Sequence, residues 1–199
     1  EFVPGGHLHI RPPAEYLRRY DARTDYAGQV QPRMTPDLLV GAKRNPPTVV
    51  FDESDRRRLD ALHDGEITQH DHFFGRFLAK LEELGLTEDT LVVVVSDHGE
   101  EFNDHGSYGH GHSVYQEILH VPLMFRLPGR IPANVRIPHA VSTLNIPATV
   151  TEFLGVPAMG TQEGYSLADM MLGVNAPGTR VAFSDFQAER RVITTSRWK

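Results

Sequence analysis

Apolar positions along the chain follow two periods, and the change from one to the other falls near residue 85. Between Asp55 and Leu84 the side chains of Ile67, Phe74, Phe77, Leu78, Leu81 and Leu84 fit a 3.6-residue period, the pattern of an amphipathic helix. Ser54 is placed to cap its start and Gly85 to supply a left-handed end. A continuous helix of that length measures roughly 45 Å, with Gly65 as its weak point and a place for a kink. Leu91-Val92-Val93-Val94-Val95 then follows without a polar interruption, which predicts a strand buried on both faces of a parallel sheet. Val121 to Leu127 reads as another strand, stopped by Pro128-Gly129. Ser142 opens a short helix through Leu154 that Gly155 closes, with Pro147 tolerated only near the first turn. Ser166 to Gly173 reads as a further short helix whose Met170 and Met171 pack inward, and Arg180–Phe186 and Arg191–Thr195 read as strands. Helix alternating with strand predicts an α/β protein. Residues 28–50 carry four prolines and few periodic apolar positions, and are read as a long excursion near the site or a mobile segment.

The valine run stops at Ser96-Asp97-His98-Gly99. Open α/β sheets collect ligands where their strands end, and a carboxylate beside an imidazole at such a place can share one divalent cation. Gly99 lets the chain turn away. Four of the eleven histidines, His98, His105, His110 and His112, fall within fifteen positions, a density that a bland core does not need. The competing reading is a turn with a helix cap followed by a solvated histidine loop. A closed structural zinc site is excluded, because the chain has no cysteine and no His-x₃-His pair.

Taken in order, Ser96-Asp97-His98-Gly99-Glu100-Glu101-Phe102, Asp104-His105-Gly106, Gly109-His110-Gly111-His112-Ser113-Val114-Tyr115, Val121-Pro122-Leu123 and Leu127-Pro128-Gly129 resemble a sulfatase, in particular the bacterial sulfatases of the alkaline phosphatase-like superfamily. The resemblance runs from about His7 to the end of the chain and is densest from Gly65 to Gly129. It implies part of an alkaline phosphatase-like sandwich, a mostly parallel sheet flanked by helices and truncated at both ends, with residues 180–199 starting the small C-terminal sheet subdomain. It also implies that Asp97 and His98 are metal ligands. Many family members carry Asn at the second of these positions. Ca²⁺ is the ion implied, and an imidazole ligand also suits Mg²⁺ or Mn²⁺. Family enzymes place a Lys or His in the loop before a Tyr-x-Glu helix, to contact the sulfate and protonate the leaving oxygen. His112 and His110 straddle that position, with His112 preferred by its spacing from Tyr115. His105 falls at the substrate rim, with a structural role as the alternative.

Other family features are altered or absent. The nucleophile of a sulfatase is a formylglycine made from the Cys or Ser of a Cys/Ser-x-Pro-x-Arg segment, and these 199 residues hold none. Its metal-binding aspartate pair is likewise expected upstream, in an N-terminal half of the same polypeptide. His7 precedes Pro12-Pro13 and Tyr16 at the spacing of a substrate-proximal histidine, yet Gly5-Gly6 stand where the family carries Asp-Pro. A plain loop histidine is the alternative there. Asn145 and Ala148 occupy positions where an Asp and a Thr are usual, a change expected to cost a hydrogen bond at a helix start. The resemblance therefore implies a fragment that is inactive alone, belonging to an enzyme for small sulfated substrates. A phosphodiesterase, phosphonate hydrolase or phosphoethanolamine transferase of the same superfamily is the first alternative, and a non-catalytic binding domain the second.

Composition changes this picture little. A net charge of −6 argues against a nucleic acid partner. No apolar run reaches membrane-spanning length. The absence of cysteine excludes disulfides, and 199 residues suffice for a substantial core.

Overall fold

The computed structural model describes residues 12–31, 35–157, 160–174, 181–187 and 189–195. His7 and the last four positions lie outside the described residues. The elements are, in order, α1 (Ala14–Leu17), α2 (Thr35–Ala42), α3 (Glu53–Glu83), β1 (Val92–Val95), β2 (Glu101–Phe102), β3 (Tyr108–Gly109), α4 (Gln116–Leu119), β4 (Leu123–Arg126), α5 (Asn145–Leu154), α6 (Ala168–Leu172), β5 (Val181–Phe186) and β6 (Arg190–Thr195). They fall into two compact units, one of Glu1–Lys80 with Glu100–His110, the other of Leu81–Gly99 with Gly111–Lys199.

The first unit is built around the N-terminal half of α3. Leu59, Ala61 and Leu62 bury themselves against Leu17, Val30, Leu39, Phe51 and Tyr108, with Phe51 meeting Tyr108 edge to face at 4.9 Å. The helix starts earlier than its apolar period suggests, and its cap is Asp52 rather than Ser54. Asp52 Oδ1 accepts from the Asp55 amide at 2.8 Å while the Asp55 carboxylate faces the Asp52 amide, an acidic form of the capping box. Ser54 instead accepts from the Arg23 guanidinium. α3 runs through Gly65 without a break. A Cβ at that position would lie 2.8 Å from the Pro12 ring, so the glycine serves a close approach. Beyond Gly65 the period is only partly covered, Leu81 being buried while Ile67 and Phe77 are about half exposed.

The excursion over residues 28–50 holds an element that the apolar pattern does not announce. It contains α2, and its Val30 and Leu39 are core residues. Thr35-Pro36-Asp37 is a helix-start signature, and the whole helix is only eight residues long, too few for a period to stand out.

In the second unit β1 pairs with β4 from Val92↔Arg126 to Val95↔Leu123, and the pairing is antiparallel. The α/β class read from the sequence holds, but this pair departs from the expected parallel neighbours. No long crossover helix intervenes between the two strands, and the chain returns through β2, β3 and α4 in the opposite sense. Nor is β1 buried on both faces. Val92 is 8% exposed and Val95 43%, because β4 is its sole strand partner among the described residues. The core of this unit is Leu127, Phe153, Leu167, Ala168, Met170 and Met171, so the two methionines pack as expected. α5 ends at Gly155 in the left-handed conformation, φ 67°, and α3 ends likewise at Gly85, φ 68°. β5 and β6 form an antiparallel hairpin. Among the described residues no helix is long and apolar enough to cross a membrane.

Candidate functional site

In the second unit β1 delivers Asp97 and His98 two and three residues beyond its own end. Gly99 donates its amide to the Ile118 carbonyl at 2.8 Å, and a Cβ there would lie 1.9 Å from the Glu117 carbonyl oxygen. That contact admits only glycine and fixes the turn that follows the acid and the imidazole. His98 Nδ1 lies 2.8 Å from the Gly99 carbonyl oxygen. A carbonyl only accepts, so the proton sits on Nδ1 and the lone pair of the neutral ring on Nε2. Nε2 lies 3.8 Å from Asp97 Oδ1, which also accepts from the His98 amide at 3.0 Å. The Asp97 side chain is 86% exposed. An anionic oxygen and an imidazole lone pair at this separation suit two ligand positions around one divalent cation. A ring held through its other nitrogen is the usual arrangement of a metal-binding histidine.

His112 belongs to the same unit. Its Nε2 is buried, and its carbonyl oxygen accepts from the Arg190 guanidinium of β6. Ser113 is buried behind it, and Tyr115 opens α4 in an extended conformation.

His105 and His110 belong to the first unit, on or beside a hairpin that the apolar pattern does not announce. β2 and β3 pair antiparallel as Glu101↔Gly109 and Phe102↔Tyr108. The Asn103 amide donates to the Ser107 carbonyl at 2.7 Å, and Asn103 and Gly106 both take positive φ. His105 sits in that turn, its Nδ1 3.5 Å from Glu101 Oε1, and Glu101 is fully buried. His110 Nδ1 meets Glu100 Oε2 at 3.0 Å. Glu100, Glu101 and Lys43 are the residues that sequence reasoning missed here. A turn signal at Asn103-Asp104-His105-Gly106 was available, and folding the chain about it places Glu100 across from His110.

His63 packs its ring on Phe102 at 4.9 Å. Burial holds its pKa below the usual histidine value, against the opposing pull of Asp64, Glu100 and Asp60. Burial likewise raises Asp60, helped by the charges of Asp64 and Asp104.

The sequence matches the Sulfatase family model over residues 3–156. It is 28% identical over 161 residues to arylsulfatase K of Mus musculus, an alignment that covers 75% of this chain and 29% of that protein. The chain thus spans under a third of that relative's length. In three dimensions it is similar to the phosphonate monoester hydrolase SpPMH of Silicibacter pomeroyi, with a TM-score of 0.66, 27% identity, and coverage of 86% of this chain and 37% of that one. It also shares the fold of BT4656, solved with its substrate D-glucosamine-2-N,6-O-disulfate, with a TM-score of 0.58, 21% identity, and coverage of 73% and 32%. Animal and bacterial proteins both occur among these relatives, so the likeness does not assign the chain to bacteria.

Proposed function

Because the chain belongs to the sulfatase family, we propose that it forms part of a divalent-metal-dependent hydrolase of sulfate esters in which Asp97 and His98 are metal ligands. The observation that carries this reading is the pair itself, an Asp97 oxygen and the lone-pair nitrogen of His98 at 3.8 Å, with the imidazole held by the Gly99 carbonyl. When bound, the cation supplies charge to bind and polarise a tetrahedral anion. Ca²⁺ is the ion proposed, the exposed carboxylate being a hard oxygen donor, with Mg²⁺ or Mn²⁺ as alternatives that accept the imidazole.

The chain's own residues then have distinct tasks. His112 is the proposed donor of a proton to the leaving oxygen, since an imidazole titrates near neutral pH and can deliver one to an alkoxide. Arg190 on its carbonyl holds the loop that carries it. His110 is the second candidate for that proton, His105 borders the substrate, and His7 is retained as a substrate-proximal residue. The nucleophile, a formylglycine, is proposed to come from sequence outside these 199 residues, so the chain alone is expected to be inactive. The β5–β6 hairpin is proposed as the start of a small C-terminal sheet subdomain. A sulfated small molecule is the substrate class, by analogy with the disulfated sugar bound to BT4656.

A second reading is favoured by one finding, the 27% identity to a phosphonate monoester hydrolase over most of this chain. The same ligand pair would serve a phosphonate monoester, another tetrahedral anion. Steady-state turnover by the natural gene product, measured on an aryl sulfate and on the matching aryl phosphonate monoester, separates the two. The sulfatase reading expects the higher kcat/KM on the sulfate, with chelation abolishing it. A preference for the phosphonate ester contradicts it and installs the second reading.

A further inference from the structure

His110 is held from two sides by groups that no part of the metal reading uses. The ladder pair Glu101↔Gly109 makes Glu100 and His110 the next cross-strand neighbours in the hairpin, and there Glu100 Oε2 lies 3.0 Å from His110 Nδ1. The Glu100 side chain is only 10% exposed, and its Oε1 is buried with no hydrogen-bond donor among the described residues. Lys43, one residue past α2, donates from Nζ to the His110 carbonyl oxygen at 3.0 Å. Both groups press on the same bare stretch of backbone. Gly109 takes φ +77°, and a Cβ there would lie 2.7 Å from Lys43 Nζ and 3.0 Å from Glu100 Oε1. The chain therefore combines a buried acid, an ammonium and a glycine around one histidine.

We propose that Glu100 and Lys43 are positioning residues for His110. The carboxylate fixes the ring as its Nδ1–H tautomer and sets its plane, while the ammonium fixes the backbone that carries it. An ionised carboxylate can only accept, so the proton of the neutral ring must lie on Nδ1, and Nε2 is the nitrogen that His110 offers to chemistry. Left to itself in water, a neutral histidine favours the opposite tautomer. The clamp also gives α2 and the excursion around it a task, since Lys43 comes from that segment. Its catalytic consequence rests on the reading of His110 as a group of the reaction site, whereas the tautomer does not.

The test is the ¹⁵N spectrum of the His110 ring in the natural gene product, labelled at histidine and recorded at a pH where the ring is neutral, beside turnover of an aryl sulfate. In wild type the unprotonated, deshielded nitrogen is expected to be Nε2. In Glu100→Leu it is expected to become Nδ1, with kcat lowered about 10–100-fold, the range seen when a histidine loses its supporting partner. Glu100→Gln retains an oxygen acceptor and should restore the wild-type tautomer. Lys43→Met should keep the tautomer and lower kcat. Protonated Nε2 in wild type overturns the proposal, as does an unchanged tautomer in Glu100→Leu. The wild-type spectrum decides alone if that variant does not fold. A tautomer switch with unaltered turnover upholds the clamp and removes His110 from the reaction.

Discussion

Asn145 shows how one atom decides what a position can do. Its side-chain oxygen accepts from the Ser142 amide at 2.8 Å, its amide nitrogen donates to the Tyr165 carbonyl at 2.8 Å, and it is 1% exposed. The hydrogen bond expected to be lost at this helix start is present, and the substituted residue makes a second one. An aspartate would keep the first contact and set a buried anion against the Tyr165 oxygen. Asn145→Asp is therefore expected to destabilise the chain by about 2–3 kcal/mol, read from the midpoint of urea unfolding, and an unchanged midpoint would contradict this account. At this scale the sequence reveals residue types and adjacency, which is why Asp97-His98 could be picked out as a candidate ligand pair. It does not reveal what lies across a turn. The partners Glu100 of His110 and Glu101 of His105 stayed hidden because they depend on a five-residue connection closing in one register.

Among the elements, length governed what could be read. The long helix α3, the valine strand and the Gly-terminated helices α5 and α6 each carry a pattern over enough residues, or an end signal clear enough, to be found. α2 and the β2–β3 hairpin carry neither. α3 also shows the limit on fine detail, because Asp52 and Ser54 are both good caps and only the geometry selects Asp52. Asp52→Ala should cost about 1 kcal/mol, and Ser54→Ala should cost less. Equal losses in paired unfolding curves would mean that the Asp52–Asp55 contacts do not cap the helix. Leu39→Ala in α2 is expected to cost about 2–5 kcal/mol, as for a core leucine. A loss within 0.5 kcal/mol, usual at surface positions, would contradict the packing of α2 into this core.

For the whole molecule, titration offers a handle on the first unit. The Arg23 guanidinium beside Asp21 holds its carboxyl well below the usual carboxylate range, with Arg58 adding to the effect. A folded-state pKa below the unfolded one means that this contribution is complete above about pH 4 and is lost as pH falls through the folded value. Burial and the hydrogen bond to Asp55 push Tyr26 up to about 12. Here the folded pKa is the higher, so the contribution is present below about pH 10 and is lost as pH rises toward 12. Unfolding midpoints should fall at both extremes, and Tyr26→Phe should flatten the alkaline limb. An alkaline limb unchanged in that variant would remove Tyr26 as its cause.

The α/β class was legible from the alternation of helix and strand patterns, and the family from motif order. The sense of the β1–β4 pair was not, since the sign of a pairing depends on the path between strands rather than on either strand. Function turns on whether Asp97 and His98 hold a metal. The most direct measurement is the metal content of the natural gene product and of its Asp97→Ala variant, each purified intact and assayed on the same aryl sulfate. The account predicts that the variant loses the bound divalent ion and its turnover together. Wild-type metal content in Asp97→Ala would contradict it and remove Asp97 from the ligand set.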